Sequence, residues 1–213
     1  MKILLSGFAP FGKDWVNPSW EAVRRLDGVQ LSNHTTLLAT QLPVTFNGAA
    51  RRLIASIRAI EPDIVLAVGQ ATGRAEITPE REAHNYCDSS CSDNAGHLFT
   101  DSVILPQGPD TYLSTLPYQE MIGAIRQIGI PASLSHSAGG YVCNHVFYHL
   151  MNYLEKMERR KILGGFLHVP CLPEQTMNTD VPSLTLEQIT EAVREAARVS
   201  SEVCISVEHE QLA

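Results

Sequence analysis

The segment Ser135-His136-Ser137-Ala138-Gly139-Gly140-Tyr141-Val142-Cys143-Asn144-His145 links one apolar run to another through small residues. That order predicts a strand, a tight turn and a helix with Cys143 in its first turn. Free backbone N–H groups and the positive end of a helix dipole favour a thiolate there, lowering its pKa. The same N–H groups can hold a developing oxyanion. A thiol nucleophile needs a base within hydrogen-bond reach and a third group to orient that base. His168 ends the run Gly165-Phe166-Leu167-His168, at the carboxyl end of a predicted strand, where open α/β sheets gather functional groups. His136 is a rival base. His145 and His149, one turn apart after Cys143, read as packing or solvent-facing residues. The orienting acid is sought among Glu76, Glu80 and Glu82, and spacing does not choose between them.

A second donor set, His84-x2-Cys87-x3-Cys91-x5-His97, offers ligands that zinc takes in tetrahedral geometry. Its spacing is not that of a standard finger, and the reading preferred here has no metal and no cofactor.

These residues need a scaffold, and the chain supplies alternating patterns. Lys2 to Phe8 reads as a strand, then Asn17-Pro18 as a helix start with Asn as cap and Pro at the first position. Leu37 to Val44 looks extended. Phe46, Ala50, Leu53, Ile54 and Ile57 have helical spacing. Asp63 to Gly69 is apolar on consecutive positions, as a strand buried on both faces should be. Tyr118 to Ile128 reads as a helix, Pro131 to Ser135 as a strand, and Val146, Phe147, Leu150 and Leu154 as a helix. Ile162 to Val169 follows as a strand. Leu184 to Val199 closes as a helix opened by the capping box Thr185-x-x-Gln188. The expected fold class is therefore α/β, a three-layer α/β/α domain with a mixed, mainly parallel central sheet. One domain over residues 1–213 is expected. Only residues 70–117 break the rhythm, with Val103-Ile104-Leu105 the one strand-like run. A polar stretch that long is expected to carry function.

Composition sets the bounds. The 213 residues carry 23 Asp+Glu against 16 Lys+Arg, net −7, which disfavours a nucleic-acid partner. The longest basic cluster is Arg159-Arg160-Lys161. No apolar run nears the ~18 residues of a membrane span, and Met1-Lys2-Ile3-Leu4-Leu5 is too short for a signal-peptide core. Five cysteines without an export signal point to a reducing, cytoplasmic location and to thiols rather than disulfides.

Together, four segments resemble the pyroglutamyl-peptidase I (pyrrolidone carboxyl peptidase) family of cysteine peptidases. They are Leu5-Ser6-Gly7-Phe8-Ala9-Pro10-Phe11-Gly12 with Asn17-Pro18-Ser19-Trp20, GQATGRAEITPER at 69–81, SLSHSAGGYVCN at 133–144 and FLHVPCLPEQ at 166–175. The resemblance implies that Cys143 is the nucleophile, His168 the general base and acid, and Glu80 the orienting carboxylate. It places Phe8, Phe11, Gln70 and, more weakly, Asn17 around the substrate. The implied reaction removes N-terminal pyroglutamate from peptides through a thioester, and the family often forms tetramers. Pyroglutamate is a neutral lactam, so its pocket should need apolar walls and one or two amide hydrogen bonds rather than a carboxylate. The chain departs from the family pattern at Thr72, Glu82 and His84, and no Arg follows in Cys87 to Asn94. Two rival readings are a non-catalytic relative that binds lactam-capped peptides and a transferase of nucleoside-phosphorylase type. The latter needs a phosphate-binding Gly-rich loop or basic cluster that the sequence lacks.

Overall fold

Apolar runs of seven residues build most of the sheet. The computed structural model describes residues 1–32, 34–157, 161–177 and 179–211, backbone only over 207–211. In chain order the elements are β1 (Lys2–Phe8), α1 (Pro18–Arg25), β2 (Thr36–Leu42), α2 (Phe46–Ile60), β3 (Ile64–Gln70) and β4 (Thr78–Glu80). There follow β5 (Glu82–His84), β6 (Thr111–Leu113), α3 (Tyr118–Gln127), α4 (Val142–Glu155), β7 (Leu163–Val169) and α5 (Leu186–Gln211). The main sheet has the order β2-β1-β3-β7-β4, with β5 and β6 forming a separate pair. The first four strands run parallel and β4 antiparallel to β7. The three-layer expectation is met, with one core on each side of the sheet. Ile3, Leu5, Leu66 and Leu167 pack under α1, α3 and α5; Leu4, Val65, Ala67 and Phe166 pack under α2 and α4.

Helix ends follow their local chemistry. Asn17 caps α1, its side chain accepting from the Ser19 N–H at 3.1 Å, and the Thr185–Gln188 box opens α5 with bonds of 2.9 and 3.2 Å. That last helix runs past the expected end at Val199 to Gln211 and includes Cys204. By contrast, Val103-Ile104-Leu105 forms no strand. Val103 is exposed, and the Leu105 N–H bonds the Asn85 side chain instead. Arg159 and Arg160 of the basic cluster lie outside the described residues.

Both borders of the sheet are covered. Leu37 on β2 exchanges bonds with the 28–29 turn, and the Ala39 N–H meets the Asp27 carboxylate at 2.8 Å. Beyond β4, residues 131–135 lie parallel to it through Ile77 N to Pro131 O, Ser133 N to Ile77 O, Ser135 N to Pro79 O and Arg81 N to Ser135 O. The strand expected over Pro131–Ser135 is thus reduced to two isolated bridges, Ile77 with Ala132 and Glu80 with Ser135. The physical reason is Pro79. Between those bridges the ladder calls for an N–H at position 79, and proline has none. On the outer side, the Arg126 Nε donates to the Ala132 carbonyl at 2.7 Å.

Candidate active site

Strand register brings the candidate residues to one face. Gly69 on β3 pairs side by side with His168 on β7, and Glu80 on β4 pairs with Phe166 of β7. Paired residues share a face, and alternate residues of one strand do too. Gly69, Phe166, His168 and Glu80 therefore all face the α2/α4 side. Above them starts α4, and Cys143 is its second residue. A Cβ on Gly69 would stand 2.9 Å from Cys143 Sγ and 2.8 Å from the Phe166 ring. The sulfur thus rests on the bare α-carbon of Gly69, beside the strand that carries His168.

Behind it, His168 Nδ1 meets Glu80 Oε1 at 2.6 Å, both side chains buried. The same oxygen accepts from Arg74 Nη1 at 2.6 Å, while Oε2 is buried without a hydrogen-bond partner. Burial pushes the Glu80 carboxyl up. The His168 bond, the charges of His168 and Arg74 and the Ser135 hydroxyl together outweigh that, so its pKa lies below the ordinary value. An ionised carboxylate only accepts, so Nδ1 carries the imidazole proton and Nε2 is left as the basic nitrogen. For His168, burial lowers the pKa more than Glu80 raises it, so the imidazole is neutral at neutral pH.

The thiol corrects one expectation. Cys143 keeps some surface as a residue, but its sulfur is crowded by protein and burial pushes the thiol up to about 12, the Glu80 charge adding to the effect. Desolvation outweighs the helix terminus, and the resting pair is thiol and neutral imidazole. The helix start itself is suited to an oxyanion: its cap, Tyr141, offers no side-chain bond to the first-turn N–H groups.

Phe8, Phe11, Asn17 and Gln70 line one cleft of about 160 Å³ with Asp14, Val44, Thr72, Tyr141, Val142 and Cys143. Phe11 packs on the Tyr141 ring, 5.3 Å between centroids. The amide of Asn17 is committed inside the protein, donating to Ala9 O and accepting from Ser19. Gln70 belongs to a chain of amides whose direction can be read from one end. The Leu172 N–H donates to Gln175 Oε1 at 2.8 Å, so Gln175 presents its Nε2, which donates to Asp14 Oδ2 and Gln70 Oε1. Gln70 in turn directs its own Nε2 toward Cys171 Sγ and Thr72 Oγ1, at 3.2 and 3.4 Å. A fixed donor therefore stands at the cleft.

The divergent loop is tied to both helices under which the site lies. Asn144, next to Cys143, accepts from the His84 N–H at 2.9 Å and donates to the His84 and Tyr86 carbonyls at 2.8 Å each. Asp93 Oδ2 accepts from the Phe46 N–H at 3.0 Å and so caps α2, where Thr45 makes no side-chain bond. Of the turn before Cys143, Gly139 has φ +81°, and a Cβ on Gly140 would strike the Asp88 backbone. The four candidate metal ligands do not converge. His84 contacts the His136 carbonyl and Thr111, Cys87 is buried with its thiol pushed up to about 11 by burial, Cys91 is exposed, and His97 stands beside Asp93. Among the described residues no group of three or more His, Cys, Asp or Glu side chains could hold a metal ion. The rival base His136 is exposed and pairs with Glu82 at 3.4 Å.

Sequence reading alone assigned no role to Gly69, Arg74 or Asn144. A glycine closing a buried strand does signal close approach of another group, and Arg74 is the lone cation between Gly69 and Glu80.

A family model described as pyroglutamyl peptidase matches residues 1–203. Curated relatives include the pyrrolidone-carboxylate peptidases of Bacillus subtilis, 44% identical over 92% of this chain and 90% of that one, and of Bacillus licheniformis, 46% identical over 94% and 92%. Among solved structures, pyroglutamyl peptidase I from Bacillus amyloliquefaciens superposes with a TM-score of 0.92 at 41% identity, covering 94% of this chain and 97% of its own. A mutant pyrrolidone carboxyl peptidase from Pyrococcus furiosus gives 0.90 at 37% identity, covering 95% and 99%.

Proposed function

Since this chain belongs to the pyroglutamyl peptidase family, we propose that it is a cysteine exopeptidase that hydrolyses the amide bond after an N-terminal pyroglutamate. The observation that carries this reading is the buried His168–Glu80 contact of 2.6 Å on the face where Cys143 Sγ rests over Gly69. Cys143 attacks the amide carbonyl as His168 Nε2 takes its proton, and the carbonyl oxygen becomes an oxyanion held by N–H groups at the start of α4. His168 then protonates the leaving amine, and a thioester remains. Water, deprotonated by His168, hydrolyses the thioester and frees pyroglutamate. Throughout, Glu80 keeps the imidazole in one tautomer and stabilises the imidazolium without taking its proton.

The lactam sits between Phe8 and Phe11. Gln70 Nε2 turns one N–H from its longer contact, Thr72 at 3.4 Å, to the ring carbonyl, a bond that proline, lacking that oxygen, cannot accept. Asn17 shapes the wall rather than bonding the substrate. The reaction needs no metal or cofactor, and the enzyme works in the cytoplasm as a homotetramer, in line with the family resemblance. Among the described residues no helix is long and apolar enough to cross a membrane.

The test compares turnover of pyroglutamyl, prolyl and glutamyl chromogenic amides by the purified chain and by Cys143→Ala. Only the pyroglutamyl amide should be cleaved, and only by the parent protein. A Cys143→Ala variant that still cleaves it, or a parent that leaves it intact, overturns the reading; light scattering checks the tetramer.

A further inference from the structure

Arg74 stands outside the three residues of the proposed reaction, yet it touches both arms of the site. Its guanidinium is about a quarter exposed. One nitrogen, Nη1, bonds both Glu80 Oε1 and the Thr78 hydroxyl on β4, while Nη2 donates to the Ser137 carbonyl at 3.0 Å. Ser137 lies in the turn that leads through Gly139 and Gly140 into Cys143. We propose that Arg74 is a positioning residue that clamps the strand carrying Glu80 to the turn carrying the nucleophile, and so fixes how His168 and Cys143 face each other.

Three observations carry this. Glu80 anchors through one oxygen only, shared between His168 and Arg74, because Oε2 is buried without a partner. Removing Arg74 would leave a buried carboxylate with the His168 bond, the nearby Ser135 hydroxyl and no compensating cation, a costly arrangement. Second, a planar guanidinium can reach a carboxylate and a carbonyl at once through different nitrogens, which a Lys ammonium does not do with the same fixed geometry. Third, the positive charge opposes protonation of His168 and favours the ionised form of Cys143. It therefore keeps the base free and eases loss of the thiol proton.

The proposal rests on the catalytic reading above, so its test includes a readout that needs no substrate. The pH dependence of Cys143 alkylation by iodoacetamide is measured for the parent chain, Arg74→Gln and Arg74→Lys, beside kcat and KM on the pyroglutamyl amide. Loss of the cation makes His168 and Cys143 harder to deprotonate, so Arg74→Gln should shift the rising limb of alkylation to higher pH. It should also lower kcat by about 10²-fold, as a misplaced constellation does, with KM little changed. Arg74→Lys should keep the limb and recover only part of kcat. Should Arg74→Gln not fold, Arg74→Lys remains decisive: parental kcat in that variant overturns the clamp. An unshifted limb with parental kcat in Arg74→Gln overturns the proposal, as does a loss confined to KM. If the parent leaves pyroglutamyl amides intact while the Arg74→Gln limb still shifts, the proposed function falls and the role of Arg74 stands.

Discussion

Cys143 Sγ lies where a side chain on β3 would otherwise be, so the position of the proposed nucleophile depends on an absent atom. Gly69→Ala places a methyl 2.9 Å from the sulfur and 2.8 Å from Phe166, and neither neighbour is the loose end of a long side chain. The sulfur must move. We expect kcat to fall about 10²-fold or more and stability to drop by about 1–3 kcal/mol from overpacking, read by steady-state kinetics and urea denaturation. Parental kcat would mean that the sulfur does not work from this position. Cys143 and His168 stand out in the sequence as candidates because each sits at a boundary of a strongly patterned element. Glu80 is not, since choosing it over Glu76 and Glu82 needs the β4/β7 register, a pairing across 88 positions of chain. The thiol's environment is hidden from the sequence for a related reason. A helix start is visible in sequence, but the burial that outweighs it is created by strands from elsewhere.

At the level of elements, long patterned segments follow the sequence closely and short ones do not. The seven-residue strands and the amphipathic helices declare themselves by period. β4, β5 and β6 have three residues each, too few for a period, and are held by partners instead. β4 pairs with β7, β5 with β6, and Asn144 adds a hold on β5. The buried Asn144 amide bonds the His84 N–H and the His84 and Tyr86 carbonyls, in addition to the pairing of β5 with β6. Asn144→Ala should strand three backbone groups and cost several kcal/mol, on a scale of about 1–3 kcal/mol for each unsatisfied buried group. Limited proteolysis should then cut within residues 85–110 faster than in the parent, and a protection pattern identical to the parent would refute this account. The same bonds make this loop part of the frame of the candidate site. It caps α2 through Asp93 and steadies α4 through Asn144, both by contacts to backbone N–H and carbonyl groups.

Acid should weaken the molecule as a whole before its carboxylates titrate. Burial lowers the pKa of His145, His149 and His168, taking His145 to about 3 with His149 nearby adding to the shift. A base whose folded pKa lies below its unfolded value leaves the unfolded chain holding more protons. Stability therefore falls as pH drops below about 6.5 and continues to fall toward the folded pKa. At pH 5, His145 alone should account for about 2 kcal/mol. The depressed carboxyl of Glu80 acts in a lower window, its contribution being lost only as pH falls below its ordinary 4.5. Urea denaturation at pH 7 and pH 5 tests this: His145→Gln should remove about 2 kcal/mol of the acid loss, and an equal loss in both proteins would count against it.

The covered borders of the sheet bear on how copies of this chain meet. Among the described residues, the β2 border is occupied by the 27–29 segment. The β4 border is closed by residues 131–135, themselves held from outside by Arg126. An incoming strand, from a neighbouring copy or from a partly unfolded chain, finds no continuous row of open backbone groups to extend. Growth of the five-stranded sheet from chain to chain is thereby blocked at either end, and copies must meet through other surfaces.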